Sequence, residues 1–252
     1  KEYQKTYGIK ISTSQVNEAI QVLQGHFVSK EAEYQKFRQI DILENDQSGM
    51  IRRLQSYTER LAHIQFYRQV EDIIKVGIAR YKDKYFPGRI VDSPFVLYEK
   101  YSRRDVGLLM NCGKDLSSIM YGMKRIEDDV FIFITYHKEE SQDEKNYVDG
   151  KPDYADAFED DLIFKWDSQI GKGLDSSYMK DVLEAERKHL LVKKSDAETS
   201  FYYMGQFTVV EARNARKEDN RGRMQPITKV TMKMHHPVRE DLLRYLQSNI
   251  TA

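Results

Sequence analysis

One cysteine, Cys112, stands in 252 residues, so no disulfide can form within the chain. A lone thiol suits a reducing compartment, and a cytoplasmic location is the expectation. A catalytic cysteine would want a histidine and a polar partner, and no known local signature surrounds Cys112. It reads as a buried or helix-end residue. Long apolar runs are missing too: no stretch of ~18 uncharged apolar residues occurs, which excludes a membrane-spanning helix. There is no Gly-rich phosphate loop followed by Lys and Ser or Thr, and Gly171-Lys172-Gly173 alone reads as a turn. Metal-ligand spacing is equally scarce. His235 and His236 are adjacent and would face opposite ways in a strand, and His63, His137 and His189 have no ligand-spaced neighbours. Asp128-Asp129 and Asp160-Asp161 each precede an apolar strand and read as solvated turns. The chain opens Lys1-Glu2-Tyr3 with neither an initiator methionine nor a charged-then-apolar leader. The expectation is a piece from the end of a longer protein.

Net charge is also absent, at +0, but its distribution is uneven. Ten acidic residues lie between Glu139 and Asp161, against Lys145 and Lys151 alone. Since 10 − 2 is 8, the rest of the chain carries about eight positive charges. An acidic insert therefore masks a basic body.

Residues 1–92 read as helical. Val16, Ala19, Ile20 and Leu23 recur at helical spacing after Ser14 as cap. A shorter helix is expected around Glu31 to Leu43, with Gly49 as a break. From Met50 the pattern Met50, Leu54, Tyr57, Leu61, Ile64 runs on through Val70, Ile73, Ile74 and Tyr81, and Phe86-Pro87-Gly88 stops it. Past Pro94 the character changes to short strands. Val130 to Tyr136 is an unbroken β-branched and aromatic run, the pattern of a strand buried on both faces. Leu162–Trp166, His189–Lys193, Phe201–Glu211 and Lys229–Met234 read as further strands. Helices are expected from Ser102 to Met110, from Asp175 or Ser176 to Glu186, and after Pro237 as a first helical residue. The fold class is α+β: an N-terminal helical segment, 1–92, then a curved sheet or small β-barrel with short helices, 93–252.

What is present in quantity is tyrosine, 17 residues, clustered with other aromatics. In Phe164-Lys165-Trp166-Asp167-Ser168, alternation points Phe164, Trp166 and Ser168 one way and Lys165 and Asp167 the other. Whether Phe164 and Trp166 are core, or an aromatic grip on a flat ring, the alternation leaves open. Basic residues punctuate the same half: Arg103-Arg104, Lys124-Arg125, Lys193-Lys194, and a Gly- and Asn-containing segment with Arg213, Arg216, Lys217, Arg221 and Arg223. That segment reads as a flexible loop suited to phosphates or a groove. No nucleophile, base and orienting group come together, so no catalytic residue is assigned, and no metal ligand either.

Five ordered segments carry a family resemblance: Tyr98-Glu99-Lys100-Tyr101-Ser102-Arg103-Arg104-Asp105-Val106, Phe133-Ile134-Thr135-Tyr136-His137-Lys138, Phe164-Lys165-Trp166-Asp167-Ser168, Val192-Lys193-Lys194-Ser195-Asp196-Ala197 and Phe201-Tyr202-Tyr203-Met204-Gly205. This series resembles the C-terminal target-recognition region of SauUSI-type, modification-dependent (type IV) restriction endonucleases, which fuse a phospholipase-D-type nuclease to a superfamily-two helicase. The helical first part resembles the segment between helicase and terminal domain. One departure is Asn111-Cys112, where the family carries an aromatic after the helix.

The resemblance implies an SRA/PUA-like reader of double-stranded DNA containing 5-methylcytosine or 5-hydroxymethylcytosine, which flips the modified base into an aromatic pocket. The parent would use ATP and a divalent metal, while this chain itself would be non-catalytic and need no cofactor. Its partners would be modified DNA and the helicase and nuclease domains of the same chain. On this reading the pocket candidates are Tyr136, His137, Trp166, Asp167 and Ser168. The DNA-contact candidates are Arg103, Arg104, Lys138, Lys193, Lys194, Arg213, Arg216, Lys217, Arg221 and Arg223. The competing reading is a protein-interaction or oligomerisation module of a helicase-nuclease, with aromatics and methionines as its interface.

Overall fold

The computed structural model describes residues 12–28, 33, 40–46, 50–85, 93–112, 115–137, 147–148, 151–152, 156–219 and 221–248. The chain divides into two compact units: Lys1–Pro94 with Arg103–Ser118, and Phe95–Ser102 with Ile119–Ala252.

The first unit opens with α1 (Thr13–Leu23), capped by Ser12 and not by Ser14. The Ser12 hydroxyl accepts from Gln15 N at 3.2 Å while Gln15 Oε1 accepts from Ser12 N at 2.9 Å. That reciprocal box satisfies two donors which Ser14, inside the first turn, cannot reach. The all-helix expectation fails at β1 (Leu43–Asn45) and β2 (Ile51–Arg53), which form an antiparallel pair. Two polar side chains hold its ends. Gln24, 5% exposed, accepts from Ile42 N and Leu43 N, and Asp46 Oδ1 accepts from Met50 N. Periodicity could not register either, because both are side-chain competitors for backbone donors. The helix expected from Glu31 does not reach Leu43, which lies in β1, and residues 31–32 and 34–39 lie outside the described residues, as does Phe86-Pro87-Gly88. Helices α2 (Gln55–Leu61) and α3 (Ile64–Tyr85) follow, and α4 (Arg103–Leu109) belongs to the same unit. Arg104 is tied there to Asp115 and Glu33, at 2.8 and 2.7 Å.

The second unit is built on an eight-stranded sheet. Its strands are β3 (Lys100–Tyr101), β4 (Met123–Ile126), β5 (Asp129–His137), β8 (Ala157–Phe158), β9 (Ile163–Asp167), β10 (Arg187–Ser195), β11 (Phe201–Glu218) and β12 (Met224–Met234). A separate two-residue ladder, β6 (Tyr147–Val148) with β7 (Lys151–Pro152), lies between β5 and β8 in the chain. The order is β4-β5-β10-β11-β12-β9-β8, with β3 on β11. Among the described residues β4 and β8 remain edges, so the sheet is open and the barrel alternative is not what forms. All neighbours are antiparallel except β5 and β10.

Strand β5 is buried on both faces, as its unbroken apolar run requires. Val130, Ile132, Ile134 and Tyr136 face a core shared with Trp166, Met204, Val230 and Met232. Helices α5 (Ser177–Glu184) and α6 (Glu240–Gln247) bury Met179, Val182, Leu242 and Leu246 in it. Each such side chain contributes roughly 1.5–3 kcal/mol through lost apolar exposure. Helix α5 is capped by Ser176. Helix α6 starts at Glu240 with Arg239 as its cap residue, so Pro237 lies upstream instead of at the first helical position. On the other face of β5, Phe131 stacks on His189 at 4.6 Å.

Strand β11 spans both halves of the sheet. Its first part pairs with β10 and β3, and its second with β12. Gly205 marks the change with φ +99, where a Cβ would lie 2.9 Å from Leu97. Beyond it, a register shift between Val209 and Glu211 bends the strand further, the usual effect of a bulge.

The expected loop around Arg213–Arg223 is a correction. Residues Arg213–Glu218 continue β11 and pair with Met224–Lys229 of β12. Only the turn is loop-like. There the Asp219 carboxylate collects Arg221 N, Arg223 N and the Arg223 guanidinium, and Gly222 adopts φ +74. Ladder hydrogen bonds, which need no apolar side chains, extend the ribbon past the core.

Candidate functional site

Trp166 on β9 is 4% exposed. Strand β8 pairs Ala157 with Lys165, and Asp156 precedes it by one residue. Asp156 is buried, at 7% exposure, and its Oδ1 accepts from Asp167 N at 3.0 Å. Tyr178, just inside α5, closes the group, with its ring 6.3 Å from that of Trp166 and tilted 32°. Its hydroxyl is buried with no hydrogen-bond partner among the described residues. Burial, reinforced by the Asp156 carboxylate, raises its pKa above the ordinary tyrosine value, so the group is a neutral donor. A buried hydroxyl with nothing to bond costs about 1–3 kcal/mol. Such a cost is tolerated where a ligand supplies the missing partner.

Gly122 lies over this hydroxyl. With φ +71, its would-be Cβ falls 3.4 Å from Tyr178 Oη and 2.5 Å from Gln169 Nε2. Gln169 belongs to the turn after β9, and that turn is bonded to the hairpin. Gly171 N donates to Pro226 O, and Leu174 N to Asn214 Oδ1. Asp156, Trp166, Tyr178 and Gly122 thus sit at the root of the β11–β12 ribbon. The ribbon extends three residue pairs beyond Ala215–Ile227, roughly 10 Å at strand rise. Arg213, Arg216, Arg221 and Arg223 are exposed along it.

The five pocket candidates separate into two groups. Tyr136 and His137 end β5, which β10, β11 and β12 separate from β9 in the sheet order, although Tyr136 shares the core with Trp166 across the sheet. Tyr136 is 7% exposed and bonds through its hydroxyl to the Phe158 backbone and Gln247. His137 Nε2 lies 2.7 Å from Leu246 O. Both are occupied in seating α6. At β9, Ser168 is bonded within the turn, to Lys172 O and Thr228 N. Asp167 faces away from Trp166, toward Lys229 at 3.5 Å. Burial raises its carboxyl above the ordinary value, against the pull of that lysine. The carboxylate that acts on Tyr178 is that of Asp156.

The basic candidates also divide. Arg104 is held by two carboxylates, as above, and Arg103 is a neighbour on the same helix. Lys193, 8% exposed, donates to Glu198 O and lies over the Phe201 ring. Lys194 donates to Ser248 and covers Tyr245. Lys138 lies outside the described residues. The hairpin residues Arg213, Arg216, Lys217, Arg221 and Arg223 are the set that the fold gathers on one projection.

A buried ionic network escaped the sequence. Asp129, read as a solvated turn residue, is 3% exposed. Its carboxylate accepts from Arg187 Nε and Nη2, at 2.8 and 2.6 Å, and from His189 Nε2 at 2.7 Å. His189 Nδ1 lies 2.8 Å from Tyr203 Oη. A carboxylate only accepts, so Nε2 carries the proton and Nδ1 accepts from the tyrosine. Hydrogen bonds from His189 and from the Arg187 guanidinium hold Asp129 down at about 2 despite its burial, whereas burial lowers His189 and keeps it neutral. The network joins β5, β10 and β11.

Residues 95–246 match the family model described as Domain of unknown function (DUF3427). The chain belongs to that family. In the DUF3427 region lie the whole described sheet, the hairpin and the Asp156–Tyr178 group. Residues 1–84 match a second model, Domain of unknown function (DUF8090). No curated protein matches the chain. Similar solved structures include the MspJI restriction endonuclease in complex with a 27-mer oligonucleotide, at 11% identity and TM-score 0.30, covering 45% of this chain and 31% of that one. Another is Arabidopsis thaliana SUVH6 in complex with SAM, at 11% identity and TM-score 0.36, covering 68% and 32%. A third comprises the sulfur-binding and SRA domains of ScoMcrA complexed with phosphorothioated DNA, at 10% identity and TM-score 0.32, covering 61% and 45%. The chain therefore spans less than half the length of each.

Proposed function

We propose that the DUF3427 unit reads modified cytosine in double-stranded DNA. The hairpin would grip the duplex, and the base would be flipped toward Asp156, Trp166 and Tyr178. The observation that carries this reading is the unpaired, buried Tyr178 hydroxyl beside a buried carboxylate and an indole ring. A flipped cytosine offers an acceptor edge for the hydroxyl, an exocyclic amine for the carboxylate and a flat face for the rings. The basic ribbon supports it, because two-stranded ribbons fit the major groove and their Arg residues reach phosphates.

The family resemblance of its five segments supports extending the reading: the chain would be the target-recognition part of an ATP-dependent type IV restriction endonuclease. The ATP and divalent metal would serve helicase and nuclease domains elsewhere in that protein, since this chain has no phosphate loop. The purified chain is expected neither to cleave DNA nor to hydrolyse ATP.

The test is Tyr178→Phe, with binding measured on otherwise identical duplexes with and without 5-methylcytosine or 5-hydroxymethylcytosine. The substitution removes an unsatisfied group, so the melting temperature should hold or rise while preference for the modified duplex falls. Unchanged preference would remove Tyr178 from the pocket. No preference in the unsubstituted chain would end the reading altogether.

The first unit favours a second reading for its own part, protein contact. Helix α3 buries none of its 22 residues, and Ile64, Ile73, Ile74 and Ile78 are all more than half exposed. Its partner on this reading is the helicase domain of the same protein. Binding of purified helicase domain, lost on Ile74→Glu, is the check.

A further inference from the structure

The basic ribbon carries apolar side chains that a grip on phosphates does not use. Met224, 55% exposed, stands opposite Glu218 in the last pair of the ladder. Pro226, also exposed, stands opposite Arg216 two pairs nearer the root. Residues opposite each other in an antiparallel pair share a face, and alternate residues along a strand return to it. Val230 pairs with Trp166, and both lie in the core against which Tyr178 packs. The ladder from Glu211–Thr231 to Glu218–Met224 has no register shift, so Thr228, Pro226 and Met224 continue the Val230 face outward. Thr228 is fully buried. Pro226 borders the turn after β9, where a Cβ on Gly173 would lie 3.3 Å from its own Cβ. Beyond that turn the face that carries Trp166 runs out as Arg216, Pro226, Glu218 and Met224.

This set is mixed in a way that singles out one partner surface. Arg216, Arg221 and Arg223 are exposed around Met224 and call for a polyanion. Glu218 would be repelled by phosphates, so this end of the face belongs between the two backbones, over base edges. There the major groove offers an amine on cytosine to a carboxylate, and the 5-methyl group of thymine to an apolar side chain. We infer that the Met224 face of the ribbon reads pyrimidine 5-methyl groups beside the target, from thymine or from a second 5-methylcytosine. The inference rests on the DNA reading proposed above and adds a sequence preference outside the flipped base. A projection of roughly 10 Å covers about three base pairs at 3.4 Å each, which bounds the preference to the immediate flank.

The experiment compares the unsubstituted chain with Met224→Ala and Met224→Leu on duplexes that share one 5-methylcytosine target. Thymines at each of the three flanking pairs on either side are replaced in turn by uracil, which removes the methyl and keeps every hydrogen bond. A second series exchanges flanking cytosine for 5-methylcytosine. At one or more positions, loss of the methyl should weaken binding about fourfold, the worth of one buried methyl. Met224→Ala should bind both forms alike, at the level of the uracil duplex, while Met224→Leu keeps the difference. Salt slope, melting temperature and preference for the modified target should not move, because Met224 is exposed and uncharged. Equal binding of thymine and uracil duplexes at every position, or a difference that survives Met224→Ala, overturns the inference and leaves the pocket reading intact. A methyl effect abolished by Met224→Ala, in a chain indifferent to the target modification, upholds the inference and overturns the pocket. Binding to anionic lipid vesicles that Met224→Ala abolishes, without any methyl effect on DNA, assigns the tip to a membrane surface and overturns it.

Discussion

The Asp129 carboxylate lies 2.7 Å from His189 Nε2, although 60 residues separate them in the chain. The parallel register of β5 and β10 sets Arg187 beside Asp129 and His189 beside Phe131. One strand pairing therefore assembles an Arg–Asp–His–Tyr network between an aromatic face and the sheet. Its energetic consequence is a dependence on pH. The folded Asp129 titrates near 2, below its ordinary 3.8, so its contribution is complete above about pH 4 and is lost as the pH falls toward 2. His189 is depressed as well. Below its ordinary 6.5 the unfolded chain takes up a proton that the folded chain refuses, which again removes stability on acidification. Denaturant midpoints from pH 8 to pH 3 should fall in two stages, the first beginning near 6.5.

Asp129→Ala should cost about 3–5 kcal/mol, because it leaves His189 and Arg187 without their acceptor in a buried setting. Arg187 is 39% exposed and can recover some hydration, which places the expectation at the lower end. The same variant should erase the acid-side stage of the pH profile. An unchanged profile would show that another carboxylate supplies it.

Trp166→Ala should destabilise the second unit by about 3–5 kcal/mol, as expected for a large ring removed from a packed core. Tyr136→Phe should cost about 0.5–1.5 kcal/mol, the worth of its hydroxyl hydrogen bonding. Thermal melts on the two variants separate their roles. A Trp166→Ala protein that melts normally would mean that the indole is not packed as described.

Replacing Arg213, Arg216 and Arg221 with Ala should weaken binding to all duplexes. It should also flatten the dependence of log affinity on log salt by up to roughly 0.9 for each phosphate left without its arginine. Titrations at several salt concentrations give the slope directly. If instead preference for the modified base collapsed while the slope held, the ribbon would be reading bases.

Gly205→Ala places a side chain at φ +99 against Leu97, a strain of about 1–3 kcal/mol. Lowered melting with the binding preference intact is the expected pair of results.

The sequence by itself determined most of the local elements. The unbroken run Val130–Tyr136 reads as a strand buried on both sides, and Asp175 or Ser176 ahead of an amphipathic turn as a helix start, of which the fold uses Ser176. It also determined where positive charge concentrates once the acidic block is set aside. These are properties of near neighbours along the chain, where spacing and capping chemistry act directly. What the tertiary structure decided is which distant residues meet. Asp156 reaches the Asp167 backbone beside β8 and β9, and α5 brings in Tyr178 behind Gly122. Asp129 finds His189 only because β5 and β10 pair in parallel. Arg213 to Arg223 read as a loop because no apolar alternation marks them, yet backbone ladder bonds to β12 carry the strand on regardless of side chain. Side-chain pattern reports burial, whereas strand pairing is chosen by backbone hydrogen bonding and the assembly of the whole sheet, and no local window of sequence contains either.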